Sequence, residues 1–373
     1  MRAEPNPRAS RKDDHVRLAL DQRGRQDESG ATPPARPAPF DEVEFLHGAL
    51  DAVNTSDVDL TVRVDGLAWP VPFFINGMTG GTEETGEINR ALAIAAREVG
   101  VPMATGSVSI ALDDERTAAS FRVVRDENPD GFVMANIGVG RSADDARRAV
   151  DLVRADALQL HVNAVQETVM PEGEREFGDW RASVEAIVAA SEVPVIVKEV
   201  GFGLSRRTLE FLRGVGVRIA DVGGSGGTDF ARIENSRRTG DGMAYLIGSG
   251  QTTPECLVDA PGTVPAVLAS GGVRHPLDVA RSLALGASAV GVAGAFLEPA
   301  KRRGAEAAVQ TLTAWRDQTR QLLALFGARG PADLIRVPVL LRGRVREFCE
   351  LRGIDAGAYA QRPGVSPIRA VEQ

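Results

Sequence analysis

Residues 264–294 read VPAVLASGGVRHPLDVARSLALGASAVGVAG. The apolar run Val264–Ser270 has the composition of a strand buried on both faces. After Gly271-Gly272 a helical pattern restarts at His275, with Pro276 at the first helical position and Leu277, Ala280 and Ala284 at helical spacing. A second apolar run, Ala289–Ala293, follows. Strand, turn, helix and strand in this order make one repeat of a parallel βα architecture. The same rhythm runs back toward the N-terminus. It places strands at Phe73–Asn76, Val101–Ala104, Phe132–Asn136, Leu158–Asn163, Val195–Val200 and Ile219–Gly223, their starts roughly 25 to 45 residues apart. Helical patterns fill the gaps: Thr82–Val99 carries a stripe through Ile88, Leu92, Ala95 and Val99, and Ser142–Arg154 opens on a serine cap. Eight such units predict an α/β chain, a (β/α)8 TIM barrel with an N-terminal extension and C-terminal helices. A doubly wound sheet would show GxGxxG after its first strand, where this chain has MTGG at 78–81.

Outside the barrel the sequence divides into a flexible N-terminus at 1–10, an N-terminal extension at 11–60, the barrel at 61–330 and a C-terminal helical extension and tail at 331–373. The Pro- and Gly-bearing stretch Asp21–Pro39 reads as a long loop, and 40–53 as a short amphipathic segment. Residues 301–328 and Val339–Leu351 read as helices.

Composition narrows the function. The chain has 373 residues, 43% of them hydrophobic, and no apolar run of about 18 residues that would span a membrane. The N-terminus lacks the apolar stretch of a secretory signal. Two distant cysteines, Cys256 and Cys349, point away from a disulfide scaffold or cysteine zinc site and toward a reducing cytoplasm. A net charge of −8 argues against nucleic acid or an anionic membrane as the main partner. An anionic small molecule would therefore need cations placed locally.

Function in such barrels sits where strands end and loops begin. Ser270-Gly271-Gly272 before a Pro-initiated helix, with Ala293-Gly294 after the eighth strand, offers backbone N–H groups and a helix N-terminus to a phosphate; tight turns alone would use the same residues. Lys198 ends a very apolar strand and needs an anionic partner. A flavin ring carbonyl that carries negative charge would serve, as would a salt bridge with Glu199 or Asp221. In His161-Val-Asn163-Ala-Val-Gln166-Glu167, His161 and Asn163 share a strand face and Gln166 and Glu167 follow in the loop. The set offers hydrogen bonds to an anion, and one carboxylate for Mg²⁺ shared with substrate phosphates; a structural histidine is the alternative. Arg11-Lys12-Asp13-Asp14-His15 reads either as a solvated charge run or as an anion grip.

Together these strings resemble the type 2 isopentenyl-diphosphate isomerases, flavoprotein barrels of the FMN-dependent α-hydroxy-acid oxidase superfamily. The matching segments are RKDDH at 11–15, NGMTGG at 76–81, TGS at 105–107, ANIG at 135–138, LQLHVNAVQE at 158–167, PVIVKEVGFGLS at 194–205, GGTDFARIE at 226–234 and ASGGVRHPLDVARSLALGA at 269–287. The resemblance implies that Met78, Thr79, Gly80, Ser107, Asn136, Lys198 and Thr228 hold the flavin ring and ribityl chain. Gly271, Gly272, Ala293 and Gly294 would cradle its phosphate. Arg11, Lys12, His15, His161 and Asn163 would grip the substrate diphosphate, with Gln166 as the catalytic residue at the reacting carbons and Glu167 as the Mg²⁺ ligand. It also implies interconversion of isopentenyl and dimethylallyl diphosphate, a reductant such as NADPH, and a homo-oligomer, tetramer or octamer. Many members read GSQR where this chain has Gly106-Ser107-Val108-Ser109, so Ser109 supplies no cation there. The competing readings are an FMN-dependent oxidoreductase of the hydroxy-acid oxidase type and a non-enzymatic phosphometabolite-binding barrel. The oxidases carry a His-Gly-Gly-Arg-type segment after the sixth strand, and here that place reads GGSGGTD, 223–229.

Overall fold

In the computed structural model, which describes residues 7–28, 38–238, 240 and 242–365, eight parallel strands close into a barrel. They are β1 (Phe73–Ile75), β2 (Met103–Ala104), β3 (Val133–Gly138), β4 (Ala157–Val162), β5 (Val195–Glu199), β6 (Ile219–Asp221), β7 (Ala266–Ser270) and β8 (Ala289–Val292). Closure is made by β8 against β1, in the register Val290↔Phe73, Gly291↔Phe74 and Val292↔Ile75. Every predicted strand is present, its ends displaced by two residues or fewer, and the predicted helices lie between them. Thr82 caps the helix Glu83–Val99 and Ser142 caps Ala143–Val153, each through a capping box.

One end of the barrel is shut. The antiparallel pair Val62–Val64 and Leu67–Trp69 turns at Asp65-Gly66, both at positive φ, as a two-residue hairpin turn requires. It drives the fully buried Trp69 against Phe74 and Phe132, at ring separations of 5.5 and 5.4 Å. These rings, with Met134, Ile196 and Ile219, fill the N-terminal end of the barrel interior. Only the opposite end, where the strands terminate in polar residues, is left for a ligand.

Four helices shape that end: α1 (Pro7–Glu28), α2 (Ala164–Val169), α3 (Phe230–Arg237) and α4 (Gly294–Leu325). Here the structure corrects several expectations. Residues 7–10 open α1 rather than belonging to a flexible terminus, while residues 1–6 lie outside the described residues. The expected loop at 21–39 is helical through Glu28; residues 29–37 fall outside the described residues. The physical reason is tertiary. Val16 of α1 is buried, Thr82 Oγ1 donates to Asp13 Oδ1 at 2.8 Å, and Gln22 exchanges two hydrogen bonds with the backbone of Asp229, at 3.2 and 3.0 Å. Val339–Leu341 is a strand, not the start of a helix. It pairs antiparallel with Val43–Phe45, inside the segment expected to be amphipathic, and the helix follows at Gly343–Arg352. Short apolar runs do not distinguish strand from buried helix, and here the available partner strand decides. The long terminal helix begins at Gly294 and breaks at Gly304, whose φ of 76° is non-helical. The tail at 366–373 lies outside the described residues.

Candidate active site at the barrel mouth

A cavity of about 890 Å³ occupies the C-terminal end of the barrel. Its floor is a hydrogen-bonded belt that crosses the strands. His161 Nδ1 lies 2.9 Å from Asn136 Oδ1, Asn136 Nδ2 donates to Gln159 Oε1 (3.0 Å), and Gln159 Nε2 donates to Asn76 Oδ1 (3.1 Å). Asn76 Nδ2 then donates to Asp221 Oδ2 (3.1 Å), whose other oxygen accepts from Ser270 Oγ at 2.6 Å. Such a belt satisfies its own buried groups and holds them rigidly. Burial pushes the Asp221 carboxyl above the usual range.

Lys198 stands at the end of β5, 6% exposed. Its Nζ donates to the Glu199 backbone carbonyl at 2.8 Å, and among the described residues no carboxylate comes within 4.0 Å of it. The two salt-bridge partners suggested by sequence are otherwise engaged. The Glu199 carboxylate accepts the N–H groups of Gly201, Phe202 and Gly203, and Asp221 belongs to the belt. Burial nevertheless lifts Glu199 to about 7. A buried cation without a counter-ion, beside open volume, fits an anionic ring system. A further observation agrees: Ala293, the residue before α4, provides no side-chain cap, so the first N–H groups of the helix face the cavity uncapped. Met78, Ser107, Asn136, Thr228, Gly271, Gly272, Ala293 and Gly294 line the cavity as well.

Two glycines are required by packing. A Cβ at Gly271 (φ +95°) would meet the Gly224 carbonyl oxygen at 1.9 Å, so the loops after β6 and β7 interlock backbone to backbone. A Cβ at Gly80 (φ +152°) would strike the Phe121 ring, and neither Gly80 nor Thr79 is among the cavity-lining residues.

Across the mouth from Lys198, α1 brings Arg11, Lys12 and His15 to the cavity. The segment is therefore not a solvated charge run. Arg11 Nη1 points to Met170 Sδ (3.0 Å) and lies 3.6 Å from Glu172, while its Nε is buried and unpartnered. Burial, and the neighbouring Arg11, push the Lys12 ammonium down to about 8. Burial, with Lys198 and Lys12 nearby, pushes the His161 imidazole down to about 3, so it is neutral.

Gln166 and Glu167 sit in the first turn of α2, not in a loop, with Asn163 as the preceding residue. Asn163 Nδ2 reaches both, Gln166 Oε1 at 3.2 Å and Glu167 Oε1 at 2.9 Å. The other Glu167 oxygen accepts from the Glu174 N–H at 2.9 Å. Among the described residues no three His, Cys, Asp or Glu side chains converge as a metal cage. Sequence reasoning missed Glu234. This fully buried carboxylate of α3 accepts from Gln166 Nε2 (3.0 Å) and Arg237 Nη1 (2.5 Å), and lies 2.9 Å from His15 Nε2 in a poorly aligned contact. Burial raises its pKa, but these partners outweigh burial and bring it to about 2. Gln159 was missed too, although it shares the strand face of His161 and Asn163 two residues along.

Comparison with known proteins agrees with this geometry. The family model for FMN-dependent dehydrogenases matches residues 138–339. Curated relatives named isopentenyl-diphosphate delta-isomerase include one from Kitasatospora griseola, 53% identical over 97% of both chains, and one from Streptomyces sp. strain CL190, 53% identical over 98% of both. A third, from Nocardia farcinica, is 54% identical over 95% of this chain and 96% of its own length. Among solved structures, a mandelate oxidase with a monooxide FMN adduct superposes with a TM-score of 0.59 at 20% identity, over 88% of this chain and 92% of that one. At that identity the likeness concerns the fold alone.

Proposed function

The chain belongs to the type 2 isopentenyl-diphosphate isomerase family, within the FMN-dependent dehydrogenase barrels, and we infer from its site that it interconverts isopentenyl and dimethylallyl diphosphate. One proton is added at the terminal alkene carbon and another leaves C2, so nothing is oxidised or reduced overall. The observation that carries this reading is the linked set Asn163, Gln166, Glu167 and Glu234 in a mouth also lined by Arg11, Lys12 and Lys198. The loop after β6, Gly223-Gly-Ser-Gly-Gly-Thr-Asp229, carries neither the His nor the Arg of the oxidase segment.

The residues at the mouth fit FMN. Lys198, Met78, Ser107, Asn136 and Thr228 would hold ring and ribityl chain, and the α4 N-terminus with Gly271, Gly272, Ala293 and Gly294 the phosphate. When bound and reduced, the flavin supplies an electron-rich ring that stabilises positive charge at the substrate's tertiary carbon. A nicotinamide such as NADPH serves as the reductant. Arg11, Lys12, His15, His161 and Asn163 would take the diphosphate, whose charge also draws His161 back toward protonation. Gln166 is clamped between Asn163 and Glu234, which fixes its amide orientation at the reacting end and favours a single substrate pose. Mg²⁺ would arrive with the diphosphate, Glu167 contributing one oxygen. Among the described residues no helix is long and apolar enough to cross a membrane. A cytoplasmic home and a tetramer or octamer complete the proposal.

The deciding assay uses anaerobic enzyme with chemically reduced FMN and Mg²⁺. Isopentenyl diphosphate should convert to its allylic isomer with no stoichiometric use of NAD(P)H. Nicotinamide consumption matched one-for-one to product would remove the isomerase reading. A second expectation concerns the metal. Glu167→Gln should raise the Mg²⁺ concentration for half-maximal turnover about tenfold, while flavin affinity and spectrum stay unchanged. An unchanged Mg²⁺ dependence with a perturbed flavin spectrum would make Glu167 a structural residue.

A further inference from the structure

Charge pairing around the mouth leaves one cation without a role. Arg11, His15, Arg141 and Arg274 each lie within 4.0 Å of a carboxylate, those of Glu172, Glu234, Asp113 and Asp41. Among the described residues, Lys12, Lys198 and Arg175 have none that close. Lys198 faces the flavin position and Lys12 the diphosphate position, which leaves Arg175.

We propose that Arg175 is a further diphosphate-binding residue of this site, presented beside Arg11 by the 170–176 segment; the proposal rests on the isomerase reading above. Arg175 lines the same cavity. Its Nη1 donates to the carbonyls of Glu167 and Glu174, and its Nη2 to that of Met170, at 2.5, 2.8 and 2.8 Å. Met170 is also the residue whose sulfur Arg11 Nη1 approaches, so the two guanidinium groups flank one side chain and its backbone. A guanidinium has five N–H donors. Three are directed at carbonyls, which leaves the Nε–H and one Nη2–H without a partner among the described residues. The carbonyl bonds thus orient the planar group without neutralising it, and the spare donors suit a phosphoryl oxygen. On the β2 side of the mouth Ser107 and Ser109 bring no charge, and the Ser107 hydroxyl donates to Ser109 at 3.1 Å. The same contacts make Arg175 a positioning residue for Glu167, since one of them holds the Glu167 carbonyl and the adjacent Glu174 N–H binds the Glu167 carboxylate.

The test is calorimetric titration of inorganic pyrophosphate into the FMN holoenzyme, with and without Mg²⁺, for the parent, Arg175→Gln and Arg175→Lys. Glutamine keeps amide donors for the carbonyls but loses the charge; lysine keeps the charge and loses the fork. Arg175→Gln should weaken pyrophosphate binding about tenfold in both conditions, and Arg175→Lys by about threefold or less, with the flavin spectrum unchanged in both. Arg175→Gln binding as the parent does, or Arg175→Lys binding as weakly as Arg175→Gln, overturns the proposal. A parent that binds pyrophosphate through Arg175 yet does not isomerise isopentenyl diphosphate would overturn the functional reading and leave the Arg175 assignment standing.

Discussion

Lys198→Met is expected to lower isomerase turnover by about 100-fold or more, the scale seen when one preorganised electrostatic group is lost from an active site. The same change should weaken FMN binding and raise the thermal stability of the flavin-free protein. The two effects have one origin. Lys198 is buried with only a backbone carbonyl as hydrogen-bond partner and, among the described residues, no carboxylate within 4.0 Å, so its charge is a cost to the empty barrel and an asset once an anion fills the mouth. Methionine has a similar length and no charge. Flavin titration, turnover with reduced FMN and calorimetric melting of the apoprotein measure the three quantities. Unchanged flavin affinity together with a lower melting temperature would mean that Glu199 or Asp221 already neutralises the lysine.

The second large effect is expected at Glu234. Glu234→Ala leaves Arg237 and His15 facing a buried vacancy and frees the Gln166 amide to rotate. Breaking a buried ion pair on one side costs about 3–5 kcal/mol. Loss of alignment at Gln166 should reduce kcat by about 100-fold, with a smaller change in KM. The pH dependence has a definite sign. The folded protein holds Glu234 at about 2, against 4.5 for an ordinary glutamate. Its contribution to stability is therefore full above pH 4.5 and lost as the pH falls toward 2. Denaturant unfolding of parent and variant should differ most near neutrality and converge toward pH 2. A constant difference across that range would show that Glu234 acts through packing rather than charge. Glu234→Gln, which keeps an oxygen for Gln166, should recover more of kcat than of stability.

The barrel was legible because its strands are buried on both faces and so appear as largely apolar runs, most of them ending abruptly in Asn, Thr, His, Lys, Asp or Ser. The mouth residues were legible for the same reason, since polar groups at those ends have nowhere to point but the cavity. Where the sequence misled, the deciding partner lay far along the chain. The helix through 21–28 is held by Asp229 and the strand 339–341 by Val43–Phe45, and no local pattern announces either contact. Glu234 escaped notice because a charged residue one turn before Arg237 reads as surface; only its burial against Gln166 and His15 reveals its place. Gly271 was read as making room for a phosphate; that its missing side chain also makes room for the Gly224 carbonyl is visible only in the fold.

The helix that crosses the mouth precedes the barrel in the chain, yet one of its moorings lies just beyond the sixth barrel strand. Gln22 is separated from Asp229 by 207 residues, and Asp13 from Thr82 by 69. Closing so long a loop is entropically unfavourable until the intervening barrel has condensed, so the helix should dock among the last events of folding. Until then a newly made barrel stands open at its loaded end. Cofactor can therefore enter through a gap that α1 later covers.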